Sequence, residues 1–334
     1  MRILLTGGHG FIGARLTALL AGQGHALRCL VRATSDTRRI AGLAWERALG
    51  DVRDRGSLAA AMAGCDAVIH LAAISGWDDH RSPELGPVID AGTRNVLEIA
   101  EEVGLRRAVH VSSLAAVNGS PQPRPFDESA AFTLTGRGLR YAEAKVRSEE
   151  HAREVAARGL LEVVIVNPAE TYGPGDDGLV TAQNLLEPLR SWPALACAGG
   201  TSVVHVDDVA AGIAAALERG RSGERYILGG DNLSVPELIR LTLRVAGQRK
   251  PVVRLPRGLL RRGVRLLDRL GLPTPMLPEV LDYATLYWFA DNRRAREELG
   301  LRFRPAEVVL RDTLRWLLEA GHLRAEQAPA LASM

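Results

Sequence analysis

The first half of the chain alternates between short, continuously apolar runs and longer segments in which leucine and alanine recur at helical spacing. The apolar runs, which predict β-strands, are 2–6, 26–31, 67–73, 108–113 and 161–166. Helical segments lie between them, among others at 57–63, at 90–103 and at a stretch ending near 157. Strands that are apolar throughout are buried on both faces, and their alternation with helices is typical of a parallel sheet. The pattern therefore predicts an α/β protein with a doubly wound parallel sheet.

A glycine-rich junction joins the first predicted strand to the first predicted helix. It contains Gly7, Gly10 and Gly13, with Phe11 and Ile12 between the last two. In such a unit the first glycine permits a tight turn, the second lets the backbone approach a pyrophosphate, and the third lets the helix pack on the sheet. The N–H groups of the first helical turn then face the anion. Because the motif follows the first strand, it predicts a dinucleotide-binding Rossmann domain, and the alternative is a plain glycine-rich turn.

The second half of the chain has a looser pattern. Helical spacing recurs at 179–190 and 206–219, and strand-like runs occur at 225–228 and 252–255. We expect the strand at 226–228 to return to the main sheet. The predicted division is a dinucleotide-binding domain over 1–168, rejoined by 203–229, and a smaller, discontinuous C-terminal lobe made of 169–202 and 230–334. Open α/β sheets bind ligands outside the carboxyl ends of their strands, so we expect this lobe to bind substrate there.

The end of the second predicted strand carries positive charge where NAD-binding proteins usually carry an acid. An Asp or Glu about 20 residues after the glycines binds the ribose 2′-hydroxyl of NAD, whereas an Arg accommodates the 2′-phosphate of NADP. This chain has Arg32 at that place, followed by Arg38 and Arg39. We therefore expect NADP as cofactor. NAD stays possible, with Asp36 as the acid and Arg32 as a solvated charge.

A further apolar stretch ends at Asp51 and Val52. At the end of a third strand, these two residues are placed to receive the adenine edge of the cofactor. Asp54 follows closely, and the alternative is that this acid caps the next helix and has no part in binding.

Two of the 42 basic residues are lysines, Lys145 and Lys250, and all the others are arginines. A lysine kept among so many arginines indicates a role that needs a compact ammonium on a flexible stem. Lys145 follows Tyr141 by four residues, which places both side chains on one face of a helix. An ammonium beside a phenol lowers the pKa of the phenol, which then serves as proton donor and acceptor for a carbonyl/alcohol pair. The alternative is an exposed helix pair without chemistry.

The composition is ordinary for a soluble globular enzyme, with 46% hydrophobic and 24% charged residues in a chain of 334. Extensive disorder is therefore not expected. A net charge of +3 with interleaved acids gives little support for nucleic-acid binding, and we expect no such partner. The eight histidines lack metal-ligand spacing, so no metal site is expected. The Gly-x-Ser-x-Gly motif of many serine hydrolases does not occur in the sequence.

Cysteine usage and the chain start bear on localisation. Cys29, Cys65 and Cys197 are odd in number and form no Cys-x-x-Cys pair, which is typical of free thiols in a reducing compartment. Strand-like sequence begins so close to Met1 that it leaves no room for a signal peptide. No stretch approaches the roughly 18 apolar residues that a membrane span needs. We expect a cytoplasmic protein.

Together these motifs resemble the extended short-chain dehydrogenase/reductase family, which is also called the NAD-dependent epimerase/dehydratase family. The matching segments of the first half are 6–13, 51–54, 70–73, 111–113, 141–145 and 167–175. Further landmarks are 205–210, 226–230 and 295–300. Within the family, the stretch 111–118 and the arginines after the second strand are similar to the dihydroflavonol-reductase and 3β-hydroxysteroid-dehydrogenase branch.

The resemblance implies roles for individual residues. Ser113 would hydrogen-bond the substrate oxygen, Tyr141 would exchange the proton, and Lys145 would hold the nicotinamide ribose while lowering the Tyr pKa. Asn118 is a candidate for substrate contact, or else a turn residue before a glycine. The remaining cofactor contacts implied along the nicotinamide and the middle of the dinucleotide are Pro168, Ala169, Leu71, Ala72 and Ala73.

Two positions depart from the family pattern. The family often has an Asn three residues before a Gly-Thr pair, where this chain has Ile89, and a Ser before the active Lys, where it has Ala144. Neither change removes the proton donor, but both leave the details of cofactor positioning open.

Three further features concern the substrate lobe. The arginines and leucines of 254–270 predict either a basic amphipathic helix that rests on a membrane or binds an anionic carrier, or a solvated helix face above the substrate pocket. Aromatic residues at 283 and 287–289 line an apolar pocket or form the core of the lobe. The polar cluster at 77–80 is expected to border the substrate.

The favoured hypothesis is an NAD(P)H-dependent oxidoreductase that interconverts a ketone and a secondary alcohol on a hydrophobic or polycyclic small molecule. An alternative is a nucleotide-sugar epimerase or dehydratase with tightly bound NAD, although no carboxylate follows Ser113 where the dehydratases usually have an acidic pair. Another is a non-catalytic cofactor sensor, but this chain keeps both Tyr141 and Lys145. The resemblance also implies a homodimer formed through helices of the first lobe.

Overall fold

The computed structural model of the chain describes residues 1–76, 81–270 and 278–332, so the predicted polar cluster at 77–80 lies outside the described residues. The strands are β1 (Arg2–Thr6), β2 (Ala26–Val31), β3 (Glu46–Leu49), β4 (Ala67–His70), β5 (Arg107–Val111), β6 (Pro125–Phe126), β7 (Glu162–Pro168), β8 (Glu170–Tyr172), β9 (Ala194–Ala196), β10 (Gly200–His205), β11 (Arg225–Leu228), β12 (Asp231–Ser234), β13 (Val252–Arg254) and β14 (Tyr287–Ala290). The helices are α1 (Phe11–Gly22), α2 (Arg55–Met62), α3 (Gly92–Glu102), α4 (Arg140–Arg158), α5 (Gln183–Arg190), α6 (Val206–Arg219), α7 (Val235–Ala246), α8 (Arg257–Arg269), α9 (Pro278–Ala284), α10 (Arg293–Glu298), α11 (Ala306–Glu319) and α12 (Pro329–Ala332).

Seven strands of the described chain form the main sheet, in the order β11-β7-β5-β4-β1-β2-β3. Every neighbouring pair in it is parallel. The strand β1 shows why these runs are apolar throughout: Ile3 and Leu5 pack into one core and Leu4 into another, on the opposite face. Helices α1 and α6 cover the first face, and α2, α3 and α4 cover the second. The predicted doubly wound parallel sheet is confirmed.

The rest of the chain builds a second, mixed sheet and a helical core. The strand β10 pairs in parallel with β8 and β14 and antiparallel with β12, and β6 extends this sheet beyond β14. The strands β9 and β13 form a separate parallel pair. Leucines of α5, α7 and α11 are buried together in one cluster beside this second sheet.

Several predicted elements have different bounds in the structure. The predicted strand 67–73 leaves the sheet after His70, and the predicted helix 90–103 begins with a wider π-helical turn at Pro87–Ala91. Within the predicted returning segment 203–229, β11 pairs with β7 in the main sheet, whereas 203–205 belong to β10 in the second sheet. The division into lobes at the predicted boundaries stays a prediction.

Candidate active site

The predicted site residues lie along one edge of the main sheet, because each follows the carboxyl end of a parallel strand. They are Gly7 after β1, Arg32 after β2, Asp51 after β3, Leu71 after β4, Ser113 after β5 and Pro168 at the end of β7. The strand order sets their sequence along this edge, with Asp51 and Arg32 at one end and Ser113 and Pro168 towards the other. The edge is therefore long enough to hold an extended ligand.

The glycine-rich junction is tightly packed and leaves its backbone open to a ligand. Gly7 has φ +74°, and a Cβ there would lie 2.8 Å from the Ala72 nitrogen. A Cβ on Gly13 would lie 2.1 Å from the Gly7 carbonyl oxygen, so only glycine fits between α1 and the turn. Gly10 caps α1 without any side-chain hydrogen bond to the first turn, which also carries no acidic residue. The first-turn amides, those of Phe11 and Ile12 included, thus fit the phosphates of a dinucleotide.

The far end of the edge carries several cationic side chains. Arg32 is exposed, and its charge lies close enough to His9 to contribute to lowering the pKa of that imidazole, an effect due first to burial. Arg39 acts on His9 in the same direction, and the His9 Nδ1 atom is buried without a hydrogen-bond partner in the described structure. A phosphate group bound here would meet up to three potential hydrogen-bond donors.

The two acids proposed for this end are already bound by arginines. Arg38 donates two hydrogen bonds to Asp36, 2.6 and 3.0 Å long, between Nη2 and Oδ2 and between Nε and Oδ1, and this bonding lowers the Asp36 pKa to about 2. Arg53 donates to Asp51 at 2.8 Å, and hydrogen bonding to Arg53 is also the main cause that lowers the Asp51 pKa. Both carboxylates are therefore charged and partnered at neutral pH.

Val52 is held in place by the helix α3. Its carbonyl oxygen accepts a hydrogen bond from the Asn95 side chain at 3.2 Å, and a Cβ on Gly92 would lie 2.8 Å from its side chain. Asn95 is a positioning residue that the sequence analysis missed. The Asp54 carboxylate accepts a hydrogen bond from the Gly56 N–H, so the alternative of a helix cap is correct for that residue.

Ser113, Tyr141 and Lys145 come together at the other end of the edge. Ser113 stands after β5, hydrogen-bonds the Tyr141 phenol, and accepts from the Ala115 N–H at 3.2 Å. Tyr141 is in the first turn of α4, and Lys145 is one turn further on the same face. The Lys145 Nζ lies 6.0 Å from the centroid of the Tyr141 ring and donates to the Val111 carbonyl oxygen at 3.0 Å.

The predicted lowering of the Tyr141 pKa by Lys145 is wrong for this structure. Burial raises the Tyr141 pKa above its ordinary value, and the hydrogen bond with Ser113 offsets this only in part. Burial also lowers the Lys145 pKa to about 8, while Glu149 acts to raise it. Desolvation disfavours the charged form of each group and is the main cause of both shifts. The phenol is therefore neutral at physiological pH.

A buried polar network lies beside the segment that carries Ser113. Glu149 is 1% exposed and accepts hydrogen bonds from Ser112 at 2.7 Å and from Asn167 at 2.5 Å. Asn167 also donates to the Ser113 carbonyl oxygen at 2.8 Å, which ties β7 to the segment that carries Ser113. Arg225, from the returning strand β11, pairs with Glu149 at 3.2 Å. Sequence reasoning missed this network because its members lie far apart along the chain.

Two stacked histidines lie on neighbouring strands in the middle of the sheet, His70 on β4 and His110 on β5. His70 bonds Thr6 at 2.7 Å and Thr93 at 3.0 Å, and its ring stacks on His110 with centroids 5.6 Å apart. Burial, followed by the Lys145 charge, lowers the His70 pKa to about 3. Both imidazoles are neutral, so they act as rigid hydrogen-bonding spacers between strands.

The two departures from the family pattern belong to a single apolar cluster. Ile89 and Ala144 are buried together with Leu85, and Ala73 and Tyr141 pack against them. Apolar packing against the Tyr141 ring thus stands where the family often has polar side chains. The predicted cofactor neighbours Leu71 and Ala72 are half-buried along the same edge, whereas Pro168 and Ala169 are buried.

Aromatic residues from α9 and β14 reach the start of α4. The Tyr283 hydroxyl accepts a hydrogen bond from the Ala142 N–H at 2.9 Å, directly after Tyr141. The Tyr283 ring stacks on Trp288 at 5.7 Å, in a cluster against which Tyr141 also packs. Asn118 accepts from the Gly119 N–H and donates to the Ala131 carbonyl oxygen and the Thr133 hydroxyl, so it ties two loops together, and its proposed contact with substrate stays a prediction.

The described residues meet the requirements of neither a metal site nor a helical membrane span. They contain no group of three His, Cys, Asp or Glu side chains that could hold a metal ion. None of their helices is both long and apolar enough to cross a bilayer.

Known proteins are similar to this chain in sequence and in fold. A sequence model of the NAD dependent epimerase/dehydratase family matches residues 3–229. The chain is 32% identical over 333 residues to sterol demethylase protein B of Methylococcus capsulatus, covering 96% of this chain and 99% of that protein. It is 29% identical over 322 residues to a 3 beta-hydroxysteroid dehydrogenase/Delta 5→4-isomerase of Mycobacterium tuberculosis, covering 90% and 85%. The dTDP-glucose 4,6-dehydratase of Streptomyces venezuelae, solved with NAD, is similar with a TM-score of 0.78 at 26% identity, covering 98% of this chain and 100% of that one.

Proposed function

Because the chain belongs to the NAD-dependent epimerase/dehydratase family and is an NAD-dependent enzyme of the extended short-chain dehydrogenase/reductase type, we propose that it interconverts a ketone and a secondary alcohol. The observation that carries the proposal is the meeting of Ser113, Tyr141 and Lys145 at the carboxyl edge of the sheet. The residues after Ser113 are Leu114, Ala115 and Ala116, which offer no carboxylate for a dehydration.

The proposed substrate is hydrophobic or polycyclic. The ring of Tyr141 packs against two apolar clusters, one around Ile89 and Ala144 and one around Tyr283 and Trp288. Side chains of this kind surround an apolar ligand at little desolvation cost. The names of two relatives, a sterol demethylase protein and a hydroxysteroid dehydrogenase, support a substrate of this class.

In the proposed mechanism the bound nicotinamide cofactor supplies or accepts the hydride. Ser113 donates a hydrogen bond to the substrate oxygen and orients the carbonyl. Tyr141 gives its phenolic proton to that oxygen in reduction and takes it back in oxidation. Since burial keeps the Tyr141 phenol protonated, the free enzyme is ready for the reductive direction. Lys145, held by the Val111 carbonyl oxygen one helical turn from Tyr141, would hold the nicotinamide ribose, the role that the family resemblance implies for it.

We further propose NADP as the preferred cofactor. The Arg32 guanidinium makes no ion pair within the described part of the chain, and the charge of Arg39 lies beside the same His9 imidazole. Asp36, the acid that would suit NAD, is bound by Arg38. A free guanidinium suits a 2′-phosphate, which bears more charge than a hydroxyl.

The first test is Tyr141→Phe, with turnover of a panel of ketones and alcohols as the measurement. Loss of the proton donor should lower kcat by about a hundredfold or more. NADPH binding, followed by fluorescence, should persist because the ring remains. The control is Tyr226→Phe, which removes a phenol that is bonded to Glu298 and belongs to the amino end of β11, and it should leave kcat almost unchanged. Full turnover by Tyr141→Phe contradicts the mechanism.

The second test is Arg32→Ala, with fluorescence titrations of NADPH and NADH. Removing a charge-assisted contact to the 2′-phosphate should weaken NADPH binding by about tenfold and leave NADH binding nearly constant. Arg47→Ala is the matched control, because Arg47 is also exposed nearby but lies over the Trp45 ring. If NADH binds more tightly than NADPH to the unaltered protein, the preference is for NAD.

A second candidate function is a nucleotide-sugar epimerase or dehydratase, favoured by the likeness to the dTDP-glucose 4,6-dehydratase. Such an enzyme keeps NAD bound and regenerates it in each cycle. Purified protein that carries stoichiometric NAD and converts sugar nucleotides without net NADPH consumption would favour this candidate. Micromolar NADPH binding with no turnover of any carbonyl would instead favour a cofactor sensor.

We also propose that the protein is a cytoplasmic homodimer, formed through helices of the first lobe. Light scattering of the purified protein tests the dimer. This assembly is independent of the proposed chemistry.

A further inference from the structure

Positive charge is concentrated in one short stretch of the substrate lobe. Residues 249–270 contain eight basic side chains and one acid, a net charge of +7, while the whole chain has only +3. The other residues therefore sum to −4, which is +3 minus +7. The basic side chains are Arg249, Lys250, Arg254, Arg257, Arg261, Arg262, Arg265 and Arg269.

Exposed apolar side chains are concentrated in the same place. Of the eleven large hydrophobic side chains that are exposed in the described parts of the chain, six lie on α8, on the β9–β13 pair or just before β9. They are Trp192, Leu195, Val253, Leu259, Leu266 and Leu270, and we call these six and the exposed basic residues Arg249, Arg254, Arg262, Arg265 and Arg269 the basic apolar face. Leu195 and Val253 are register partners in the β9–β13 pair. Exposed apolar side chains that gather on elements close in sequence indicate an interaction surface.

The solvent-facing side of the helix α8 carries leucines, whereas such a side usually carries polar residues. Leu259, Leu266 and Leu270 are separated by seven and four positions, which places them on one helical face, and they are 58–65% exposed. Val264, on the other side, is 2% exposed and packs towards the lobe. Arg262 and Arg269 are exposed next to the leucines. The outer side of α8 therefore presents leucines flanked by guanidinium groups.

We propose that the basic apolar face docks the protein on the surface of a lipid bilayer that contains anionic phospholipids. Leucines on one side of a helix insert at the boundary between headgroups and acyl chains, and flanking arginines pair with lipid phosphates. Trp192 adds an exposed aromatic side chain, which favours the same interfacial layer. A second copy of this chain would bring a face of the same positive charge, so the charge disfavours self-association through it.

The face is connected to the candidate active site through one short path. Arg265 of α8 lies 3.9 Å from Asp282 of α9, and the neighbouring Tyr283 accepts a hydrogen bond from Ala142, next to Tyr141. If the proposed function is correct, a hydrophobic substrate that partitions into the bilayer would enter the site from this side. The docking itself does not depend on the substrate.

The experiment is co-sedimentation of the full chain with vesicles of phosphatidylcholine alone and of phosphatidylcholine mixed with phosphatidylglycerol in equal parts. We expect binding to the mixed vesicles, much weaker binding to the neutral ones, and release by added salt. No substrate or cofactor is present, so failure of the proposed chemistry would leave this result unaffected. Absence of binding to the mixed vesicles overturns the proposal.

Two variants separate the apolar and the charged contributions. Leu259→Ser/Leu266→Ser/Leu270→Ser should weaken binding to the mixed vesicles by about tenfold or more. Its control is Val103→Ser/Leu160→Ser/Val308→Ser, which removes three exposed apolar side chains elsewhere. Arg262→Gln/Arg269→Gln should weaken binding by roughly twentyfold. Its control is Arg296→Gln/Arg302→Gln, which changes the net charge equally at two exposed sites outside the face.

Folding of each variant is checked by thermal unfolding and by NADPH binding, and the arginine variant serves if the leucine variant fails to fold. If the leucine and arginine variants bind the mixed vesicles as strongly as their controls do, the proposal is overturned. A protein that binds no vesicles and changes from dimer to monomer on loss of the leucines would show that a second copy covers the face instead.

Discussion

At the scale of single residues, the chemistry depends on one buried cation and its surroundings. Lys145 is 3% exposed, and burial lowers its pKa from 10.5 to about 8. Glu149, one helical turn further along α4, raises it. His70 and His110, which face the ammonium from β4 and β5, are neutral because burial lowers the pKa of each. Within the described residues, the balance at Lys145 rests on Glu149, which also pairs with Arg153 at 2.7 Å and with Arg225 at 3.2 Å.

This balance predicts the effect of Glu149→Gln on the pH profile. The Lys145 ammonium is present below its pKa and deprotonated above it. Because the Glu149 carboxylate raises this pKa, its removal lowers the pKa, and Lys145 then loses its charge at a lower pH. We expect the alkaline limb of the kcat profile to shift by roughly one pH unit towards acid. The Gln side chain keeps the size of the position, but its amide nitrogen replaces one of the two carboxylate oxygens that accept from Ser112, Asn167, Arg153 and Arg225.

The neighbouring Glu150→Gln is the matched control, because Glu150 is exposed and no effect of it on the Lys145 pKa is seen. A purely structural role of Glu149 would lower thermal stability, through loss of the Arg225 pair, without moving the alkaline limb. An unshifted limb would therefore separate Glu149 from the protonation of Lys145.

At the scale of secondary-structure elements, the strand–glycine–helix unit at the start of the chain is the most constrained part of the site. The helix α1 lies so close to the turn after β1 that the Gly13 position has no room for a side chain. The same closeness aims the first-turn amides of α1 at the edge of the sheet. Tight packing and anion binding here have one cause, the absence of a Cβ.

Gly13→Ala should therefore damage both binding and stability. A methyl group 2.1 Å from the Gly7 carbonyl oxygen must push α1 away from the turn. We expect NADPH affinity to fall by about tenfold or more and the free energy of unfolding to fall by about 1–3 kcal/mol. Fluorescence titration and urea unfolding measure the two quantities.

Gly22→Ala, in the last turn of the same helix, is the control. No atom lies within 4 Å of the added Cβ, and Gly22 is exposed. Alanine at this place should be neutral or stabilise by up to about 1 kcal/mol, with no change in NADPH affinity. Equal behaviour of the two variants would contradict the close approach at Gly13.

At the scale of the whole molecule, segments distant in sequence close around the carboxyl edge of the sheet. Arg39, after β2, pairs with Asp177 at 2.6 Å, which links the cofactor end of the edge to the loop after β8. In the same loop, a Cβ on Gly175 would lie 4.0 Å from the Phe11 ring. Arg15 of α1 pairs with Asp207 of α6 at 2.6 Å. The loop after β8 therefore borders the glycine-rich junction on one side and the arginines on the other.

Much of the first half could be predicted because its signals are local. Strands buried on both faces are apolar throughout, and a turn that needs glycine has glycine, as at Gly7 with φ +74°. The second sheet was largely missed, because most of its strands are short and they pair with segments far away in sequence, such as β8 with β10 and β6 with β14. Pairing partners of this kind leave no periodic pattern in the sequence.

The sequence by itself determined the parallel sheet, the position of the glycine-rich junction, and the placing of Tyr141 and Lys145 on one helical face. These follow from spacing along the chain, which local geometry converts directly into structure. Only the tertiary structure decided that the Tyr141 pKa is raised, that Asp36 is bound by Arg38, that Glu149 meets Arg225, and that the leucines of α8 face outward. Burial and charge are sums over neighbours brought together by folding, so no reading of the adjacent sequence can supply them.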